Sequence, residues 1–151
     1  ERVVAVEQSE QALAVAQRQA LRNRLDGIQW VAGNAFDVLR AMDQQQERFD
    51  VIILDPPSFT RSRRTVEAAL RGYKEVNLRA WRMLNPGGFL VTCSCSQHVG
   101  PDQFFDVVAA AAADAGREWR LVESRTQALD HPILPAVPET FYLKCLILQA
   151  L

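Results

Sequence analysis

Short apolar, often β-branched runs alternate along this chain with segments of helical period, and that alternation leaves few architectures open. Residues 3–6 form the first run, closed by Glu7, and Ser9 offers a helix cap ahead of Ala12, Leu13, Ala16 and Ala20. Asp26-Gly27 then makes a turn before a second strand at residues 28–31 and a short amphipathic helix through Phe36, Val38, Leu39 and Met42. Residues 49–54 read as a strand buried on both faces, halted by Asp55-Pro56-Pro57. A helix is expected over residues 66–84, closed by Asn85-Pro86-Gly87-Gly88. There follow a strand at 89–95, a helix at 102–115, a strand at 119–123, a proline-rich loop at 130–138 and a last strand at 141–148. Such a series predicts an α/β fold with ligands at the carboxyl ends of the strands, where Glu7, Asn34, Asp55 and Cys95 all fall.

Nearly half of the 151 residues are apolar, enough for one compact domain with a core. The three cysteines are an odd number, and Cys93 and Cys95 stand too close along the chain for an unstrained mutual disulfide. A reducing, cytoplasmic setting is the expectation. No apolar run reaches the roughly 20 residues that span a bilayer, so no membrane partner is expected. The net charge of -1 conceals an asymmetry: residues 61–82 hold six Arg and one Lys against two Glu, a local balance of +5. A solvated helix face and a nucleic-acid contact both fit such a run.

An acidic residue ending an early strand can hold a ribose through its two hydroxyls, and Glu7, followed by Gln8, fits that use. It fits equally a surface acid beside a helix amino end. Asn34, Ala35 and Phe36 could offer an amide to the adenine edge and a ring to its face, or be a turn and a core Phe. Asp55-Pro56-Pro57-Ser58-Phe59 is more specific. Two prolines after a buried strand fix a rigid bend, able to hold the Asp55 side chain and the Pro56 carbonyl against the amino edge of a base, with Pro57 and Phe59 beside it. Thr92-Cys93-Ser94-Cys95-Ser96 closes the strand expected to lie next to it, and a thiol beside a base-gripping carboxylate points to covalent catalysis. Cys93 and Cys145 read instead as small buried hydrophobes.

Taken with Val3-Val4-Ala5-Val6-Glu7, Arg71-Gly72-Tyr73-Lys74, Asp130-His131-Pro132, Pro138-Glu139 and Tyr142-Leu143-Lys144, these motifs resemble the bacterial 23S rRNA cytosine-5 methyltransferases that carry an N-terminal PUA domain. The resemblance runs over nearly the whole chain. It implies a class I, Rossmann-like methyltransferase sheet with an antiparallel last strand and S-adenosylmethionine as donor. Glu7 and Gln8 would lie on the ribose, Asn34, Ala35 and Phe36 around the adenine, and Asp55 and Pro56 at the boundary of donor and base. It further implies Cys95 as nucleophile, Asp55 gripping the cytosine, and large-subunit ribosomal RNA as partner, with Pro57, Phe59, Arg61, Arg71 and Lys74 on the substrate side. The family's first strand and glycine-rich loop precede Val3, so residues 1–151 are expected to be one catalytic domain truncated at its N-terminus, with exposed strand edges open to homo-oligomer formation. Relatives with Ser-Asn in place of Ser-Cys methylate guanine, and the cysteine argues against that substrate. An RNA-binding domain without catalysis is the other alternative. Asp55 has no acidic companion of the kind a metal-dependent small-molecule methyltransferase requires, and no metal is expected.

Overall fold

The computed structural model describes residues 2–151. They divide into two compact units, one ending at Gln45 and the other covering Gln46–Leu151.

The first unit runs β1 (Val3–Glu7), α1 (Glu10–Arg22), β2 (Ile28–Ala32), α2 (Ala35–Gln44). β1 and β2 pair in parallel, from Val3 opposite Ile28 to Glu7 opposite Ala32. The expected Ser9 cap forms, and Asn34 caps the second helix. Ser9 accepts from the Ala12 amide at 3.2 Å and Asn34 from the Phe36 amide at 2.9 Å, each satisfying a donor that a helix start leaves open. Gly27 takes φ +77° in the turn before β2. Ala20 is the only buried residue described in this unit.

The second unit holds β3 (Phe49–Leu54), a 3-10 turn (Arg63–Thr65), α3 (Val66–Met83), β4 (Leu84–Ser94), α4 (Pro101–Asp114), β5 (Trp119–Arg125), a 3-10 turn (Pro138–Thr140) and β6 (Lys144–Ala150). Its sheet has the order β3-β4-β6-β5, with β3 and β4 parallel and β6 antiparallel to both neighbours. The antiparallel last strand is therefore present. The core gathers Ile52, Leu54, Leu90, Leu146 and Leu148 from the sheet with Tyr73, Val76, Ala80 and Trp81 of α3 and Phe104 and Val108 of α4. Arg117 closes the end of α3 by donating to the carbonyls of Trp81 (3.1 Å) and Leu84 (2.6 Å).

Two expectations need correction. The run 49–54 was expected to be buried on both faces, yet Val51 is 55% and Ile53 68% exposed while Ile52 and Leu54 are buried. A largely apolar strand is therefore covered on one side only within the described residues, with α3 and α4 packed on each other against the sheet. Asn85-Pro86-Gly87-Gly88 does not stand apart as a turn. The helix stops at Met83 and β4 already begins at Leu84, opposite Phe49, with a register shift before Val51. Gly88 sits where the strands approach most tightly: a Cβ there would lie 2.9 Å from the Asn85 carbonyl oxygen and 3.0 Å from that of Asp50. Among the described residues no helix is long and apolar enough to cross a membrane.

Candidate active site

The sequence-derived site residues fall into both units, and each group is coherent in itself. In the first, Glu7 ends β1 and Asn34 follows β2, so the strand pairing sets them at the same edge, joined by a hydrogen bond from the Gly33 amide to the Glu7 carbonyl at 3.1 Å. Oε1 of Glu7 accepts from the Ser9 amide at 2.7 Å, which orients the carboxylate and leaves its other oxygen with no recorded partner. Glu7, Gln8, Asn34 and Ala35 are exposed, and Phe36, on the first turn of α2, is half-buried. An oriented, exposed carboxylate beside an exposed turn suits a sugar with two adjacent hydroxyls.

In the second unit the turn after β3 and the turn after β4 are locked together by a chain of hydroxyls whose direction can be deduced. Ser58 donates to the Thr60 carbonyl at 2.7 Å, an acceptor only, so across 3.1 Å it must accept from Ser96. Ser96, its one proton given to Ser58, accepts from Tyr73 at 2.9 Å and from the Phe59 amide at 3.1 Å. Tyr73 in turn accepts from Ser94 at 3.0 Å. The Phe59 ring lies 4.6 Å from the Tyr73 ring, centroid to centroid, and Tyr73 meets Phe104 edge-on at 5.3 Å. Phe59 is thus half-buried over Tyr73.

This lock sets the thiol of Cys95 against the double-proline turn, its Sγ 3.9 Å from the Pro56 carbonyl oxygen. Asp55 and Pro57 are exposed on that turn, Pro56 and Cys95 half-buried. Cys93 lies deeper, 9% exposed, and stands directly opposite Cys145 on β6. Its thiol is pushed up to about 12, first by burial and then by its hydrogen bond with Cys145, so it stays protonated. All three cysteines are free.

The basic segment proves to be divided. Lys74 is held by Asp114 at 2.8 Å and Arg79 by Glu75 at 3.1 Å. Arg61, Arg63, Arg64 and Arg71 are exposed, and no carboxylate is recorded beside them among the described residues. Lys74 is thus tied to α4, whereas the four arginines are open to solvent.

Residues that the sequence reading left without a role also meet here. Ser58, Tyr73 and Ser96 build the lock. Lys144, 6% exposed, donates to the carbonyls of Ser96 (2.7 Å) and Tyr142 (2.9 Å), and burial lowers it to about 8. Its signal was in the sequence: a lysine on the inward period of a strand whose alternate residues Leu146 and Leu148 are core. No group of His, Cys, Asp and Glu among the described residues is placed to hold a metal ion.

Comparison with known proteins gives this geometry its context. A family model described as a methyltransferase domain matches residues 1–134. The chain is 43% identical over 151 residues to the ribosomal RNA large subunit methyltransferase I of Tolumonas auensis, covering 99% of this chain and 38% of that protein. It is 45% identical over 150 residues to the protein of the same name from Aeromonas hydrophila, covering 98% and 38%. The chain therefore spans little more than a third of these relatives. Among solved structures, a methyltransferase complexed with SAH superposes with a TM-score of 0.82 at 18% identity, over 98% of this chain and 39% of that one. A SAM-dependent methyltransferase from Streptococcus mutans does so with the same TM-score and identity, over 98% and 38%. With an α/β fold shared with class I SAM-dependent methyltransferases, and a family model matched over most of its length, the chain belongs to the methyltransferase domain family.

Proposed function

We propose that this chain is the catalytic part of an S-adenosylmethionine-dependent enzyme that methylates carbon 5 of a cytosine in large-subunit ribosomal RNA, with Cys95 as nucleophile. The observation that carries the reading is the half-buried Cys95 thiol, 3.9 Å from the Pro56 carbonyl on a turn that exposes Asp55. The names of the relatives support ribosomal RNA as substrate.

Carbon 5 of cytosine is a weak nucleophile. Addition of the Cys95 thiolate to carbon 6 forms the S–C6 bond and turns the ring into an enamine, nucleophilic at carbon 5. Asp55 would take the exocyclic amino group and fix the ring across the sulfur, with the Pro56 carbonyl alongside. The donor supplies an electrophilic methyl carried on a sulfonium. Once carbon 5 is methylated, loss of its proton to a base breaks the S–C6 bond and returns the thiolate. Glu7 and Gln8 would hold the donor's ribose and the 34–36 turn its adenine; the oriented Glu7 carboxylate supports this fit. Pro57, Phe59, Arg61 and Arg71 would lie on the RNA side. Lys74, paired with Asp114, would contribute there only by exchanging that partner.

RNA carrying 5-fluorocytosine at the target tests the mechanism, because fluorine cannot leave as the proton does and the adduct persists. Wild type and Cys93→Ala are expected to trap a protein–RNA adduct, and Cys95→Ala to trap none. An adduct that survives Cys95→Ala removes the assigned nucleophile, and absence of any adduct during methyl transfer removes the covalent mechanism.

A further inference from the structure

Cys95 lies one residue beyond the strand pairing. The ladder between β4 and β6 ends at Ser94 opposite Lys144, and that between β3 and β4 ends at Thr92. The sheet therefore does not fix the peptide that carries this thiol. Its two neighbours in the chain, Ser94 and Ser96, are both fully buried, and their hydroxyls meet on one atom. The Tyr73 hydroxyl accepts from Ser94 at 3.0 Å and donates to Ser96 at 2.9 Å. Ser96 has further partners in Ser58, Phe59 and Lys144, but among the described residues Tyr73 is the one side chain bonded to both serines.

The bridging group is itself held in place. Tyr73 is fully buried, its ring packed against Phe59 at 4.6 Å and Phe104 at 5.3 Å, centroid to centroid. A phenylalanine would fill the same volume between those rings. A buried hydroxyl adds little net stability, because its bonds in the fold replace bonds to water, so stability alone gives no reason for a tyrosine here. Orientation does. We infer that Tyr73 is a positioning residue for Cys95: through Ser94 and Ser96 its hydroxyl pins the chain on both sides of the cysteine, so that Sγ is held 3.9 Å from the Pro56 carbonyl oxygen, at the turn that exposes Asp55. It acts through the two serines and not on the reacting atoms. The use of that placement in methyl transfer rests on Cys95 being the nucleophile; the placement itself does not.

Tyr73→Phe removes the bridging oxygen and keeps the ring. In the enzyme that carries this chain, it is expected to lower kcat for methyl transfer by about tenfold or more, with KM for RNA and for S-adenosylmethionine unchanged, since a misplacement of ~1 Å is enough to cost roughly a hundredfold. Ser94→Ala, which removes one arm of the bridge, should show the same split with a smaller loss. A folded Tyr73→Phe enzyme with unchanged kcat overturns the inference.

Thiol alkylation reads the placement without RNA or donor. Released from the bridge, the half-buried Cys95 thiol should react with iodoacetamide several-fold faster in Tyr73→Phe than in wild type, measured peptide by peptide, while Cys93 and Cys145 keep their wild-type rates. Equal acceleration of all three cysteines means a general loosening of the fold and overturns the positioning role, as does an unchanged rate at Cys95. Should Tyr73→Phe fail to fold, Ser94→Ala decides by the same two readouts. The 5-fluorocytosine adduct separates the two readings. Acceleration confined to Cys95, with no adduct in wild type, means that the nucleophile assignment has failed and the positioning stands. A wild-type adduct at Cys95, with kcat and Cys95 alkylation both unchanged in Tyr73→Phe, means the reverse.

Discussion

Ser96 carries more of the local structure than any other single hydroxyl near the thiol. It is buried, accepts from the Phe59 amide and the Tyr73 hydroxyl and donates to Ser58, so its removal strands two donors from different elements. An unsatisfied buried donor costs about 1–3 kcal/mol, and Ser96→Ala should therefore destabilise the protein by at least that much in urea unfolding. Ser58→Ala, at an exposed position, should cost less. Two buried titrating groups set a pH dependence with opposite signs. Lys144 falls from 10.5 to about 8 on folding, so between those values the unfolded chain binds more protons and stability rises with pH. Cys93 rises from 9.0 to about 12, so above 9 the folded chain binds more protons and stability falls. Wild type should gain stability from about pH 8 to 9 and then level off. Lys144→Met should abolish the gain, and Cys93→Ala should let it continue toward 10.5. Unfolding free energies measured across that range check both.

At the scale of elements, the basic segment separates into residues of α3 held by carboxylates, Lys74 and Arg79, and exposed arginines, Arg71 on α3 and three more on the approach to it. Arg61, Arg63 and Arg64 lie between the double-proline turn and the start of α3, exposed and without a recorded carboxylate. If they meet RNA phosphates, reversing all three to Glu should weaken RNA binding and flatten its salt dependence. Each lost single-strand phosphate contact should reduce the log–log slope by about 0.7. A binding isotherm series against salt measures this, and an unchanged slope would return the segment to a solvated face. Element identities were largely legible because period and caps are local: Ser9 caps α1 as expected, Asn34, read as a turn residue, proves to cap α2, and β3 has the anticipated bounds. The start of β4 was not legible. Pro86, Gly87 and Gly88 read as a turn, yet pairing with Phe49 draws Leu84 into the sheet, a contact 35 residues away along the chain.

At the scale of the whole molecule, the two units differ in how much they bury. Among the described residues the first has Ala20 alone as a buried side chain, while the second encloses Trp81, Tyr73, Phe104, Met83, Leu90 and Leu148 almost completely. A two-stranded sheet with so little core is marginal, so amide hydrogen exchange should be fast throughout β1 and β2 and slowest in β4 and β6, the central strands of the larger sheet. Equal protection in both sheets would contradict this. By itself the sequence determined the element order, the α/β class, the antiparallel last strand through the resemblance, and the residue types that bear chemistry, because each follows from short-range pattern or from motif. Only tertiary structure decided that Cys95 meets the Pro56 carbonyl, that Cys93 faces Cys145, that Lys74 is tied to Asp114 while Arg61 is not, and that Lys144 reaches under Ser96. Each depends on strand register or helix packing between segments distant in the chain, and no local period encodes it.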